Sequence, residues 1–202
     1  MKKIFVLLLA IACAFTMFSC GEEKNDLKAF TTAIAATNPT EIEVETKFET
    51  AFGTLEGWSK TTITENGATI EYWKDVFNAT AAGENASLIE RTPTATVTRD
   101  ASGNYSDNGA YAEANGLSTG AKLTLDAKKM TYTVSPDGNV LSATILAADT
   151  EAVLGVAIDA DVSVVLTKNA ESVISFTVTY ATTITVGAGE TEATVEIVCN
   201  YR

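Results

Sequence analysis

An antiparallel all-β domain is the fold class this sequence predicts, and three observations predict it. Apolar residues recur at every second position over most of the chain, tight-turn tetrads such as Pro136-Asp137-Gly138-Asn139 separate those runs, and helical spacing is confined to one or two short stretches. Successive strands joined by short local turns favour a meander that curls into a barrel or half-barrel, because curling reduces exposed edges. The alternative is a two-sheet β-sandwich, for which the long polar tract from Asp100 to Gly120 would supply the crossing connection.

The chain opens with Lys2 and Lys3 ahead of an apolar run from Ile4 to Phe18, with Ser19 immediately before Cys20. A positive start, a short apolar core and a small residue are the parts of an export signal, and the run is too short for a membrane-spanning helix. Met17-Phe18-Ser19-Cys20 resembles a relaxed bacterial lipobox, and Glu22-Glu23 just after it resembles the acidic export signal of surface-exposed Bacteroidetes lipoproteins. That resemblance implies cleavage before Cys20, lipidation of its thiol, and residence on the outer membrane, facing outward. It divides the chain into residues 1–19 as signal peptide, 20–40 as lipidated Cys, polar tether and short helix, and 41–202 as a single antiparallel β-domain.

Within the tether, Asp26 is placed to cap a helix in which Leu27, Phe30 and Ile34 share a face, and Asn38-Pro39 ends it. The period then changes. Ile42, Val44, Thr46 and Phe48 alternate with charged residues from Glu41 to Glu49, as in a strand with one buried and one solvated face. Ser59 to Thr64 and Thr69 to Val76 flank Glu65-Asn66-Gly67, a hairpin turn in which Asn-Gly tolerates positive φ. After a connection from Asn78 to Asn85, Ser87 to Arg99 reads as extended, with Pro93 marking an edge or bulge. Asp100 to Gly120 reads as loop.

From Lys122 the alternation is regular. Leu123 and Leu125 begin it, and Met130, Tyr132 and Val134 pair through the Pro136-Gly138 turn with Leu141, Ala143 and Ile145 as a hairpin. Asp149 is placed to cap a helical turn ending at Gly155. Three strands close the chain, led by Val162, Val164 and Leu166, then Ile174 to Ile184, then Ala193 to Tyr201. With its Pro136-Asp137-Gly138 hairpin and the turn before its last three strands, Met130 to the C-terminus resembles the small surface-lipoprotein domains of lipocalin-like or LolA-like shape.

The chemistry is bounded by what is missing. The 202 residues contain no histidine, which excludes Ser-His and Cys-His nucleophilic machinery, imidazole acid-base steps and His-based zinc sites. A net charge of −12 argues against nucleic acid as a partner. Once Cys13 leaves with the signal and Cys20 carries lipid, Cys199 has no partner in the chain for a disulfide, and its inward position predicts a buried thiol. Asp100 to Gly109 offers oxygen ligands at alternate positions, but Tyr105 and Tyr111 stand where a calcium loop of EF-hand type needs Gly and Glu. Composition permits paired carboxylates of glycosidase type or a Ser-Lys dyad, but no spacing picks either out, and no metal, cofactor or catalytic residue is expected. Trp58, Tyr72 and Trp73 are the candidate ligand-binding residues, since aromatic rings stack on sugars or line apolar cavities. The expected protein is a non-enzymatic envelope lipoprotein, anchored at Cys20, binding a hydrophobic small molecule inside the β-domain or a glycan outside it. The alternative is a structural or interaction module with an envelope protein as partner.

Overall fold

Each alternating run forms a strand, and each strand pairs with a neighbour across a local turn. A computed structural model describes residues 25–77, 89–114, 123–186 and 189–202. The signal segment 1–19, Cys20 and the connection from Asn78 to Asn85 lie outside the described residues. Strands β1 (Glu41–Thr50), β2 (Gly53–Thr64) and β3 (Gly67–Phe77) form one antiparallel meander. The far edge of β3 is shared by β4 (Ile89–Arg91) and β5 (Ala95–Asp100), with Pro93 in the break between them. A second meander runs through β6 (Met130–Val134), β7 (Val140–Ile145), β8 (Val162–Lys168), β9 (Val173–Val186) and β10 (Gly189–Tyr201).

The two meanders are joined where the first and last of these strands meet. Strand β1 pairs with β10 from Ile42↔Tyr201 to Thr50↔Ala193, giving one sheet of 10 strands. The Thr40 and Glu41 amides both donate to the Arg202 carbonyl. The sheet is antiparallel throughout and does not close, so it is a half-barrel with β6 at one edge and β4 and β5 at the other. As all the described strands belong to this single sheet, the sandwich alternative does not apply.

Inward positions carry the core. Val44, Phe176, Val178, Val195, Ile197 and Cys199 are at most 2% exposed, each removed from water at a gain of about 1.5–3 kcal/mol for a full-sized apolar side chain. Helix α1 (Asn25–Ala36) packs into the same cluster through Leu27, Phe30, Ala33 and Ile34. Leu123, Leu125, Val153, Leu154 and Ile158 complete it. The concave side of the half-barrel is thus filled by the chain's own apolar groups. Lys168 reaches over Phe30, its ammonium 5.5 Å from the ring centre.

Three local expectations are corrected. Helix α2 (Ala110–Ala114) interrupts the tract from Asp100 read as loop, and buries Tyr111 against Ile70 and Val97 of the sheet. Leu123 and Leu125 are buried as the alternation says, but lie in irregular chain held by the Thr124 amide on the Val153 carbonyl, 2.7 Å away. At helix α3 (Thr150–Leu154), Asp149 makes no side-chain capping bond. The buried Thr150 hydroxyl does the tying there, donating to the Ala147 carbonyl and accepting the Ile158 amide, each at 2.9 Å. A threonine turned inward reaches backbone that a charged carboxylate cannot follow without losing its hydration. Gly155 closes α3 at φ 73°, as expected.

Candidate functional site

Paired residues of antiparallel strands share a face. On the convex side of the sheet this rule brings Glu45 of β1 beside Trp58 of β2, and Trp58 beside Trp73 of β3. Tyr72, adjacent to Trp73 in sequence, points to the opposite face. Its ring lies 4.5 Å from that of Tyr111 in the small concave cluster beneath α2. The three candidate aromatics are therefore divided, two on the outer surface and one in the core.

Both tryptophans are held. The Trp58 indole N–H donates to Glu43 Oε1 at 2.8 Å, and Glu43 is fixed in turn by Arg202 at 3.2 Å. Trp73 lies under Arg91, whose guanidinium carbon is 3.7 Å from the ring centre. Arg91 donates to Asp75 through Nε and to Glu56 through Nη2, each at 2.9 Å. Burial on its own would raise the Asp75 carboxyl, but the hydrogen bonds from Arg91 and from the Glu56 amide outweigh it and hold the group below its ordinary range. Asp75 thus stays ionised and keeps Arg91 over the indole.

Beside these rings runs a shallow groove of about 220 Å³ that crosses β10, β1, β2 and β3. Its outer rim carries Glu45, Lys47, Glu56 and Glu196, with Trp58 and Trp73 as its aromatic wall. The Lys47 ammonium is engaged by Glu49, whose hydrogen bond raises its pKa and keeps it charged. An aromatic wall beside ionised rim groups can hold a molecule with one apolar face and several polar edges.

A wider and more open cleft of about 1060 Å³ lies where β9 and β10 run on past the sheet, between Glu49, Asp159, Glu190 and Glu192. Its lining mixes carboxylates and threonines with alanines and Ile158 and has no aromatic wall, so size alone does not make it the better site. The Asp100 loop is closed internally. The Asp100 carboxylate accepts the Asn104 side-chain amide and the Ser102 and Asn104 backbone amides at 2.8–3.0 Å, bonds that keep it ionised. Asp107 caps α2 by accepting the Tyr111 amide at 2.6 Å. Among the described residues no group of three or more His, Cys, Asp or Glu side chains is placed to hold a metal ion.

Arg91 and the carboxylates around it are the part of the site that sequence reasoning missed. The Trp58–Trp73 pairing had a signal: a two-residue turn at Glu65-Asn66 pairs Thr64 with Gly67, and counting back from there pairs Trp58 with Trp73. The division of Tyr72 from Trp73 was equally available, since neighbours in a strand face opposite ways.

No family model and no curated protein sequence matches the chain. Among solved structures, it is similar to an S-type phycobiliprotein lyase of Guillardia theta, at 8% identity and a TM-score of 0.31, over 87% of this chain and 92% of the other. It is also similar to a protein assigned as an AttH of Nitrosomonas europaea, at 11% identity and a TM-score of 0.27. That match covers 92% of this chain and 56% of the AttH chain, so this chain spans little more than half its length. Neither likeness carries an activity or a ligand over to this chain.

Proposed function

We propose that this protein is a non-enzymatic, lipid-anchored envelope protein that binds a glycan on the convex face of its β-domain. The observation that carries this reading is the in-register pair Trp58 and Trp73 beside a groove rimmed by ionised side chains. A sugar ring offers an apolar C–H face to an indole and hydroxyls to carboxylates and ammonium groups at its edge. A glycan is favoured over an apolar molecule inside the domain because α1 already fills the concave side with Leu27, Phe30 and Ile34. Anchorage rests on Cys20 and its lipobox-like setting; among the described residues no helix is long and apolar enough to cross a membrane.

The test is binding of the full chain, held in detergent, to an array of envelope and extracellular glycans, with Trp58→Ala and Phe52→Ala variants in parallel. Phe52 is 54% exposed in the β1–β2 turn and lines no part of the groove, so its loss should leave binding intact. Trp58→Ala should weaken binding roughly tenfold or more, the worth of one stacked ring. An array with no bound glycan, or binding indifferent to Trp58→Ala, would refute the reading. The anchor is tested separately by fractionating cells that express Cys20→Ser, which should move the protein out of the membrane fraction.

A second reading, an interaction module of an envelope assembly, is favoured by one feature. Strands β9 and β10 continue past the last β8 and β1 pairs, at Tyr180 and Ala193, as a two-stranded ribbon. Crosslinking from Thr183 in intact cells to a defined envelope protein would support it.

A further inference from the structure

The convex groove has a charge pattern as well as an aromatic wall, and the chain supplies its own example of what such a pattern holds. Over Trp73 sits the Arg91 guanidinium, 3.7 Å from the ring centre, with Asp75 and Glu56 as its carboxylate partners. A cation on an aromatic face gains from the ring quadrupole, and flanking carboxylates add charge-assisted hydrogen bonds. One strand away the pattern recurs, and among the described residues no cation sits over the Trp58 ring. Trp58 is flanked by Glu43, which is committed to its indole N–H and to Arg202, and by Glu45, its register partner on β1. The Glu45 side chain is exposed and makes no hydrogen bond or ion pair among the described residues. The nearby cation, Lys47, is taken by Glu49. Glu196 adds a further carboxylate to the same rim, on a chain whose net charge is −12.

We propose that the glycan bound in this groove carries protonated amino groups, with an amino sugar stacked on Trp58 and its ammonium set against Glu45. The geometry repeats across one strand spacing what Arg91 does over Trp73 with Glu56 and Asp75. A neutral sugar would stack on the same indole but leave Glu45 without a charged partner, and an acidic one would meet like charge along the rim. This inference rests on the glycan reading above and narrows it to one chemical class.

The test is calorimetric titration of the full chain in detergent with a glucosamine oligomer and with its fully N-acetylated counterpart of equal length, in a buffer acidic enough to keep the amines protonated. The amine-bearing oligomer should bind roughly tenfold more tightly, and the difference should shrink as salt is raised. Glu45→Gln, an exposed and nearly isosteric change, should bring the ratio close to one, chiefly by weakening the amine-bearing oligomer. Equal affinity of wild-type protein for both oligomers overturns the amino-sugar inference and leaves the glycan reading standing. A preference that survives in Glu45→Gln overturns the role of Glu45. No binding of either oligomer by folded protein that still binds another glycan on the array removes the inference alone, whereas no glycan binding at all removes both.

Discussion

The Thr37 hydroxyl accepts the Val173 backbone N–H at 2.9 Å and donates to the Ala33 carbonyl at 2.7 Å, so one side chain ties the end of α1 to the start of β9 across 136 residues of sequence. Removing the hydroxyl while keeping the shape leaves a part-buried amide without its acceptor. Thr37→Val should therefore cost about 1–3 kcal/mol and Thr37→Ser much less. The urea midpoint of each variant checks this, and a Val variant as stable as wild type would show that α1 is not held here.

Facing determines cost in the sheet. Phe176 and Ile197 are each 1% exposed on the concave side, whereas Thr177, next to Phe176, faces outward. Phe176→Ala should cost about 3–5 kcal/mol and Ile197→Ala about 2–5 kcal/mol, while Thr177→Ala should stay within about 0.5 kcal/mol. Chemical denaturation of the three variants side by side measures the contrast, and an equal loss at Thr177 would contradict the facing.

Two turn glycines should behave differently. Gly67 has φ +137°, and a Cβ there would lie 2.0 Å from the Arg99 carbonyl oxygen of β5. Gly138 has φ +73° with nothing within 4 Å of the same position. Gly67→Ala should lose at least about 1–3 kcal/mol, because β3 and β5 must separate to admit the methyl. Gly138→Asn should lose little, since Asn tolerates the left-handed region. Thermal melts decide it, and a mild Gly67→Ala would mean that β5 is not held tightly against β3.

The pH profile should be set by carboxylates at one end and phenols at the other. The Glu41 carboxyl is held low chiefly by its hydrogen bond from Lys60, and Asp137 by that from Ser135. At Asp75, burial opposes but the Arg91 bond wins. A folded pKa below the unfolded one gives stability that is complete above the unfolded value and is lost as pH falls through the folded one. With no histidine in the chain, the melting temperature should be nearly flat from about pH 8 to 5 and decline below about pH 4. At the alkaline end, burial pushes the Tyr111 phenol up to about 12, against a hydrogen bond with Ser59. Its stabilisation is complete below the reference value of 10.0 and is lost as pH rises toward about 12. Tyr111→Phe should remove the corresponding late phase from the near-ultraviolet phenol titration, and a stability step near pH 6.5 would point to a titrating group outside this account.

Much of the fold was legible because alternation is local. The run from Ile42 to Phe48 gave β1 its inward face, and the Pro136-Gly138 turn gave the β6–β7 register, Met130 opposite Ile145. Cys199 fell on the buried face with Val195 and Ile197 for the same reason. Helix α2 was missed because its five residues, Ala110 to Ala114, are too few to show a helical period. At the candidate site, Trp58 and Trp73 were legible as residues and, through the Glu65-Asn66 turn, as a pair. Arg91 was not, because its strand is three residues long and follows a long connection, so no turn geometry relates it to Trp73.

The sequence by itself determined the class of element along most of the chain, which side of each strand is apolar, the registers of the local hairpins, and the absence of imidazole chemistry. These follow from periods of two residues and from turn chemistry, both of which act over a few positions. The tertiary structure decided that β1 pairs with β10, that the sheet stays open as a half-barrel, that α1 fills its concave side, and that Arg91 lies over Trp73. Those outcomes depend on which distant surfaces bury each other most completely, a competition among whole faces in which no single stretch of sequence holds more than one side of the contact.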